Sequence, residues 1–257
     1  DLNEFVIKKV NSFNDYDTVC IAADPLHCST KSSLEFALRA EEAGADCISL
    51  IFREKVYFEE QIFNHFKYIS DNSSIGILIH EMPLNNGIPG EPALINWSLT
   101  LLDRLADINN VIALKEDTKD KQYTKEICDT IASRVAIITS GMGMRQWIEN
   151  APICSSYLSG IGGIKPKIEL DFYKAFMEDN IDSCNKIIEN IEIPFDQIKK
   201  FGWHLGFKSA LEVAGIMSRT ERMPLEAIGD TSQNEVKKIM ISIAKSNTEY
   251  FNSNEYD

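Results

Sequence analysis

A lysine closes the apolar run Val111-Ile-Ala-Leu114 at Lys115, and a histidine and a glutamate, His80-Glu81, follow the run from Ile75 to Ile79. Runs of this length and β-branched content read as strands, so these side chains stand at strand ends. A lysine held in a water-poor strand mouth is disfavoured in its charged form, and the neutral amine is a nucleophile able to form a Schiff base with a keto acid. A histidine at a neighbouring strand end titrates near neutral pH and suits proton transfer. Two more runs end on polar residues: Cys47 to Leu50 leads to Phe52-Arg53-Glu54, and Val135 to Thr139 leads to Ser140-Gly141. Each group also has a plainer role open to it. Lys115 can be a solvated strand-end lysine paired with Glu116, His80 a hydrogen-bonded core histidine, and Arg53 a solvated loop arginine.

The elements that must position these residues are short parallel strands alternating with helices. Strands are expected at Thr18 to Ala22, Cys47 to Phe52, Ile75 to Ile79, Val111 to Leu114, Val135 to Thr139 and Tyr157 to Ile161. Helices are expected at Asn3 to Asn11, Ser33 to Ala43, Glu59 to Ser70, Asn96 to Arg104, Lys121 to Ala132 and Met144 to Asn150. No strand is followed by a GxGxxG or GxxxxGKS turn, which argues against a nucleotide-binding sheet and for a β/α barrel. In such a barrel the reactive groups come from the C-terminal ends of strands. Beyond Ile161 the pattern is helical: Leu170 to Asn180, Ile181 to Ile191, Phe195 to Phe201, Trp203 to Ile216 and Ser232 to Ser246. Residues 1–168 are therefore expected to carry six visible β/α units and 169–257 a helical region, with the polar stretch from Asn247 frayed. His65, His204 and the tryptophans Trp97, Trp147 and Trp203 fall on or beside helices and read as structural.

The chain has 257 residues, 44% hydrophobic and 25% charged, with 8 Pro and 13 Gly, which fits a globular fold and excludes disordered and collagen-like classes. Its 39 acidic residues outweigh 26 basic ones, giving −13, so nucleic acid and anionic membrane surfaces are poor partners. No apolar run approaches the roughly 20 residues that cross a bilayer, and no secretory signal is visible at the start. A cytoplasmic location is the default. Six cysteines without a CxxC pair, and without a histidine at zinc spacing, read as small buried hydrophobes rather than metal ligands.

Several segments carry a resemblance. Ile77-Leu-Ile-His-Glu-Met-Pro83, Val111-Ile-Ala-Leu-Lys-Glu-Asp117, Thr139-Ser-Gly141 and Ser159-Gly-Ile-Gly-Gly-Ile-Lys-Pro166 occur in the order and spacing of the dihydrodipicolinate synthase / N-acetylneuraminate lyase family. Ala43-Gly-Ala-Asp46, His65-Phe66, Phe207-Lys-Ser-Ala-Leu211 and Arg222-Met-Pro224 add to it, so the likeness runs from about Leu2 to Ile228. The resemblance implies a (β/α)8 TIM barrel with a helical C-terminal extension, commonly a homo-oligomer, dimer or tetramer. It also implies a class I aldolase-type lyase or synthase without metal or organic cofactor. Lys115 matches the lysine that condenses with pyruvate or a related 2-oxo acid, and the protonated imine then serves as the electron sink for a C–C bond.

Departures from the family pattern bear on the proton path. Where the family has Tyr-Asn-x-Pro, this chain reads His80-Glu-Met-Pro83, so His80 stands in for the acid/base tyrosine, with Glu81 or Glu54 able to raise its pKa. Phe52-Arg53-Glu54 occupies the place of a tyrosine-bearing segment. Asn85 stands where synthases hold a substrate carboxylate with arginine, a charge that Arg53 is placed to replace. Ser140, Gly141, Gly160 and Gly162 are expected along the pocket floor, where small residues let backbone approach a ligand. The family's Gly-Thr-Thr-Gly-Glu type loop and two β/α units would precede Asp1, and an open barrel exposes strand edges, so a further N-terminal part is expected. The alternative to an enzyme is a non-catalytic or regulatory small-molecule-binding barrel that has lost the relay.

Overall fold

A computed structural model describes residues 2–13, 18–23, 29–52, 58–81, 96–118, 120–140, 143–252 and 255–256. The chain divides into two compact units, Asp1–Gly141 with Glu149–Tyr157, and Met142–Ile148 with Leu158–Asp257.

Among the described residues, the first unit is built on a parallel sheet of six strands in sequence order: β1 (Ile21–Ala23), β2 (Cys47–Ile51), β3 (Gly76–Glu81), β4 (Val111–Glu116), β5 (Ala136–Thr139) and β6 (Ser156–Tyr157). Each strand pairs with the next, so the winding never reverses. A doubly wound nucleotide sheet reverses its strand order at the ligand crevice, and this sheet does not. Helices α1 (Leu2–Asn11), α2 (Thr30–Glu42), α3 (Glu59–Asp71), α4 (Leu99–Ala106) and α5 (Lys121–Ile131) alternate with the strands.

Local chemistry sets the helix starts. The Asp120 side chain accepts the Gln122 and Tyr123 amides at 3.0 and 3.2 Å, and Ser98 accepts the Leu101 amide at 3.1 Å. Both caps satisfy amides that a helix leaves open at its first turn. The Ser98 cap starts α4 at Leu99, later than the expected Asn96. Helix α5 buries Tyr123, Thr124, Ile127, Cys128 and Ile131, an i, i+4 stripe that faces the core. β3 is buried along nearly its whole length, on both faces, as helix-covered parallel strands are.

The ladder between β3 and β4 slips by one residue. Ile77 pairs with Val111, but Leu78 pairs with Ala113, so Ile112 is an extra residue on β4. Beyond the slip His80 pairs with Lys115 and Glu81 with Glu116. Because strand side chains alternate faces, without the extra residue His80 would lie beside Leu114 and Lys115 would face the other way. On the His80 side, Leu78, Ala113 and Cys47 form a buried cluster packed by Ala136 and Ile138.

The strands differ from their expected bounds in informative ways. β3 and β4 run on through His80-Glu81 and Lys115-Glu116, so the polar residues are part of the ladder rather than of loops. The last strand is only Ser156–Tyr157; residues 158–160 of the expected continuation are irregular, and a 3₁₀ turn, Ile161–Gly163, begins where the strand was expected to end. Gly160, Gly162 and Gly163 have little preference for an extended ladder. The five described cysteines are buried and form no disulfide, and the Cys128 and Cys154 thiols share a hydrogen bond at 3.4 Å.

The second unit holds most of α6 (Gly143–Asn150) and the helices α7 (Pro166–Met177), α8 (Ile181–Ile187), α9 (Ile193–Asp196), α10 (Trp203–Val213) and α11 (Asp230–Ser246). A π-helical turn, Ile188–Glu192, follows α8. Its last residue, Glu192, is buried and accepts the Met144 amide at 2.6 Å, the Arg145 amide at 3.2 Å and Arg145 Nε at 3.1 Å. The chain end is not frayed as expected. Asn247, Phe251 and Tyr256 are buried, Lys165 pairs with Glu255 at 2.5 Å, and Lys165 lies over the Phe251 ring. Two aromatic side chains outweigh the polar average of the segment. Trp203, expected to pack, is 43% exposed and stacks on Phe207.

Candidate active site

The paired strand ends bring Lys115 and His80 together on one face of the sheet. Lys115 Nζ is 3.0 Å from His80 Nε2. The His80 side chain is 6% exposed and that of Lys115 19%, so both polar ends lie largely out of water. Beneath them on the same face are Leu78 and Ala113, two residues earlier on each strand, and Ile138, which pairs with Lys115 across β4 and β5.

A third ionisable group completes the cluster, and sequence reasoning passed over it. Asp117 Oδ2 lies 3.4 Å from His80 Nε2 and 3.8 Å from Lys115 Nζ, and the Ser140 hydroxyl donates to Asp117 Oδ1 at 2.7 Å. The signal was the period-two alternation of extended chain: Lys115 and Asp117 share a face, with Glu116 on the other. Ser140, just beyond β5, is brought to the cluster. Its amide donates to the Glu116 carbonyl at 3.1 Å, extending the β4–β5 ladder by one bond.

Glu81 does not join them. Alternation turns it to the helix-covered face, where its Oε1 accepts the Trp97 amide at 3.0 Å and the Tyr123 hydroxyl at 2.7 Å. Burial raises its carboxyl to about 7 against those two bonds, with Glu116 adding to the rise. Glu116 itself accepts the Thr118 hydroxyl and the Thr124 hydroxyl, the latter at 2.8 Å. The expected action of Glu81 on His80 from within the pocket is thus replaced by a structural one between strand and helix. His65 is structural as expected: buried, bonded through Nδ1 to Thr30 at 2.8 Å, and held neutral as burial lowers its pKa to about 4.

The remaining expected residues fall elsewhere. Arg53, Glu54, Asn85 and Gly141 lie outside the described residues. Phe52 packs its ring 5.0 Å from that of His65. Gly160 and Gly162 belong to the second unit, where a Cβ would run into the Trp203 ring and the Glu169 side chain respectively. Side-chain packing within that unit is enough to require glycine at both.

A model of the dihydrodipicolinate synthetase family matches residues 6–243. The chain belongs to the dihydrodipicolinate synthetase family. This member is 23% identical over 222 residues to the 4-hydroxy-tetrahydrodipicolinate synthase of Archaeoglobus fulgidus, covering 84% of this chain and 72% of the relative. Among solved structures, it superposes on the dihydrodipicolinate synthase of Thermotoga maritima with a TM-score of 0.78 at 18% identity, over 94% of this chain and 80% of the other. The chloride-inhibited dihydrodipicolinate synthase of Acinetobacter baumannii, solved with pyruvate, gives a TM-score of 0.76 at 19% identity, over 94% and 80%. These likenesses show the α/β fold with parallel strands and many helices. Among the described residues no helix is long and apolar enough to cross a membrane.

Proposed function

We propose that this family member condenses Lys115 with a 2-oxo acid, pyruvate or a longer relative, and makes or breaks a C–C bond through the resulting enamine. The observation that carries the reading is the 3.0 Å contact of Lys115 Nζ with His80 Nε2 at buried strand ends. The neutral amine adds to the ketone carbon, and the carbinolamine loses its hydroxyl as water to leave the imine. His80 takes the ammonium proton before attack, returns a proton to the departing hydroxyl, and moves the C3 proton that interconverts imine and enamine. None of these steps draws on a metal or organic cofactor. The synthase names of the relatives and the pyruvate bound in the Acinetobacter neighbour support this substrate class.

The same reading takes the six strands as six of the eight in a (β/α)8 barrel, with residues 1–168 supplying the β/α units and 169–257 the helical extension. The active form is a cytoplasmic homo-oligomer, dimer or tetramer. The test is exchange of the pyruvate methyl protons in deuterium oxide, followed by proton NMR. Wild-type protein should catalyse exchange and Lys115→Ala should not. Exchange that persists in Lys115→Ala, or is absent from the wild type with every 2-oxo acid tried, contradicts the assignment.

A further inference from the structure

We propose that Asp117 is the positioning carboxylate of this site: fixed by the Ser140 hydroxyl, it holds positive charge on the Lys115–His80 pair and so sets the pH window in which the pair works. The inference rests on the Schiff-base reading above and adds a residue to it. Asp117 Oδ1 is occupied by Ser140 at 2.7 Å, which turns Oδ2 toward the pair, 3.4 Å from His80 Nε2 and 3.8 Å from Lys115 Nζ. With its side chain only 14% exposed, little water stands between the charges.

One nitrogen serves two partners here. Nε2 of His80 is within reach of both Lys115 Nζ and Asp117 Oδ2, yet it cannot accept a proton from the first while donating one to the second. Two states follow. In one, the proton is on Nζ and Nε2 is the acceptor; in the other, Nε2 carries the proton toward Asp117 and the amine is neutral and can attack. Asp117 stabilises the cation in either place, and in the second state it offers Nε2 an acceptor other than the amine.

Among the described residues Asp117 is an anion that faces the pair. Ile51 on β2 is the register partner of His80, and Ile138 on β5 that of Lys115; neither titrates. Glu81 and Glu116 stand on the opposite face of the sheet, bonded to Tyr123 and Thr124 of α5. Arg53 and Glu54 lie outside the described residues.

The direction of the effect is fixed by charge. An opposite charge within about 4–6 Å raises the pKa of a cationic group, so removing it lowers the pKa of Lys115 and of His80 together, as an interacting pair. Imine formation needs the neutral amine, which gives the acid limb of the rate profile. Proton donation needs charged His80, which gives the basic limb. Both limbs should therefore move to lower pH.

The experiment compares pH profiles of pyruvate methyl-proton exchange for the wild type, Asp117→Asn, Asp117→Glu and Ser140→Ala, with borohydride trapping of the wild type alongside. Asp117→Asn should move both limbs down by about one pH unit, Asp117→Glu should recover part of the shift, and Ser140→Ala should move the profile the same way by less. Should Asp117→Asn fold poorly, Ser140→Ala reads the same displacement in a side chain that carries no charge. A uniform loss of rate with an unmoved profile makes Asp117 merely structural and overturns the inference, as does an upward shift. If the wild type traps on Lys115 and the profiles coincide, only the role of Asp117 falls. If the wild type does not trap at all, the Schiff-base reading falls and takes this inference with it.

Discussion

In the proposed reaction His80 puts an imidazole, where the family pattern has a phenol, at the strand end beside Lys115, 3.0 Å from the amine. His80→Phe keeps a ring at a position 5% exposed while removing both nitrogens. It should slow borohydride labelling of Lys115 as well as methyl-proton exchange, the latter by roughly 10²-fold; an unchanged exchange rate would make His80 a packing residue. Glu81 gives a second test, of stability. Its folded-state pKa is raised from 4.5 to about 7 by burial, so between those values the folded chain holds a proton that the unfolded chain has lost. Stability then falls as pH rises through that window, and buried Glu192, also raised to about 7, acts in the same direction. Glu81→Gln should flatten the decline of Tm between about pH 5 and 7, and an unaltered slope would show that the carboxyl does not titrate there. Lys115, His80 and Ser140 were legible because each ends an apolar run. Asp117 was not, because it follows Lys115 and Glu116 as one polar cluster and only alternation separates their faces. Glu81 was misplaced for the same reason, since adjacency in sequence put it beside His80 when the pleat puts it behind.

At the scale of the element, the extra residue at Ile112 is what sets the Lys115–His80 pair, since it shifts β4 by one position and brings Lys115 to His80. Gly76, at the start of β3, leaves room for this. A Cβ there would stand 2.6 Å from Ile112 Cδ1 and 2.9 Å from the Asp46 carbonyl oxygen. The isoleucine tip can swing, but the backbone carbonyl cannot. Gly76→Ala should therefore destabilise the protein by about 1–3 kcal/mol, as overpacking does, with the urea midpoint as the measurement. Because the strain falls on the slipped pair, exchange activity should fall even where the variant is fully folded. A variant with wild-type stability and rate would show that the slip does not depend on this glycine. The six strands themselves were readable from β-branched runs spaced by helical patterns, to within a few residues. The slip was not, because a bulge is a property of two strands and neither sequence carries it alone. The shortening of the last strand had a local sign in Gly160, Gly162 and Gly163, whose weight against extension was underestimated.

Across the whole molecule, the change from alternating strands and helices to helices alone was legible from composition. The return of Met142–Ile148 to the second unit was not, since it arises from contacts distant in sequence, such as those of Glu192 with Met144 and Arg145. The buried tail was hidden for a related reason: Phe251 and Tyr256 are two apolar anchors in a polar stretch. Schiff-base formation at Lys115 is open to direct chemical test. Purified protein is incubated with pyruvate, reduced with borohydride, digested and mapped by mass spectrometry. One reduced pyruvate per chain is expected, on Lys115, and none in Lys115→Ala; a stable adduct on any other lysine, or none with pyruvate and longer 2-oxo acids alike, would contradict the assignment of Lys115 as the nucleophile.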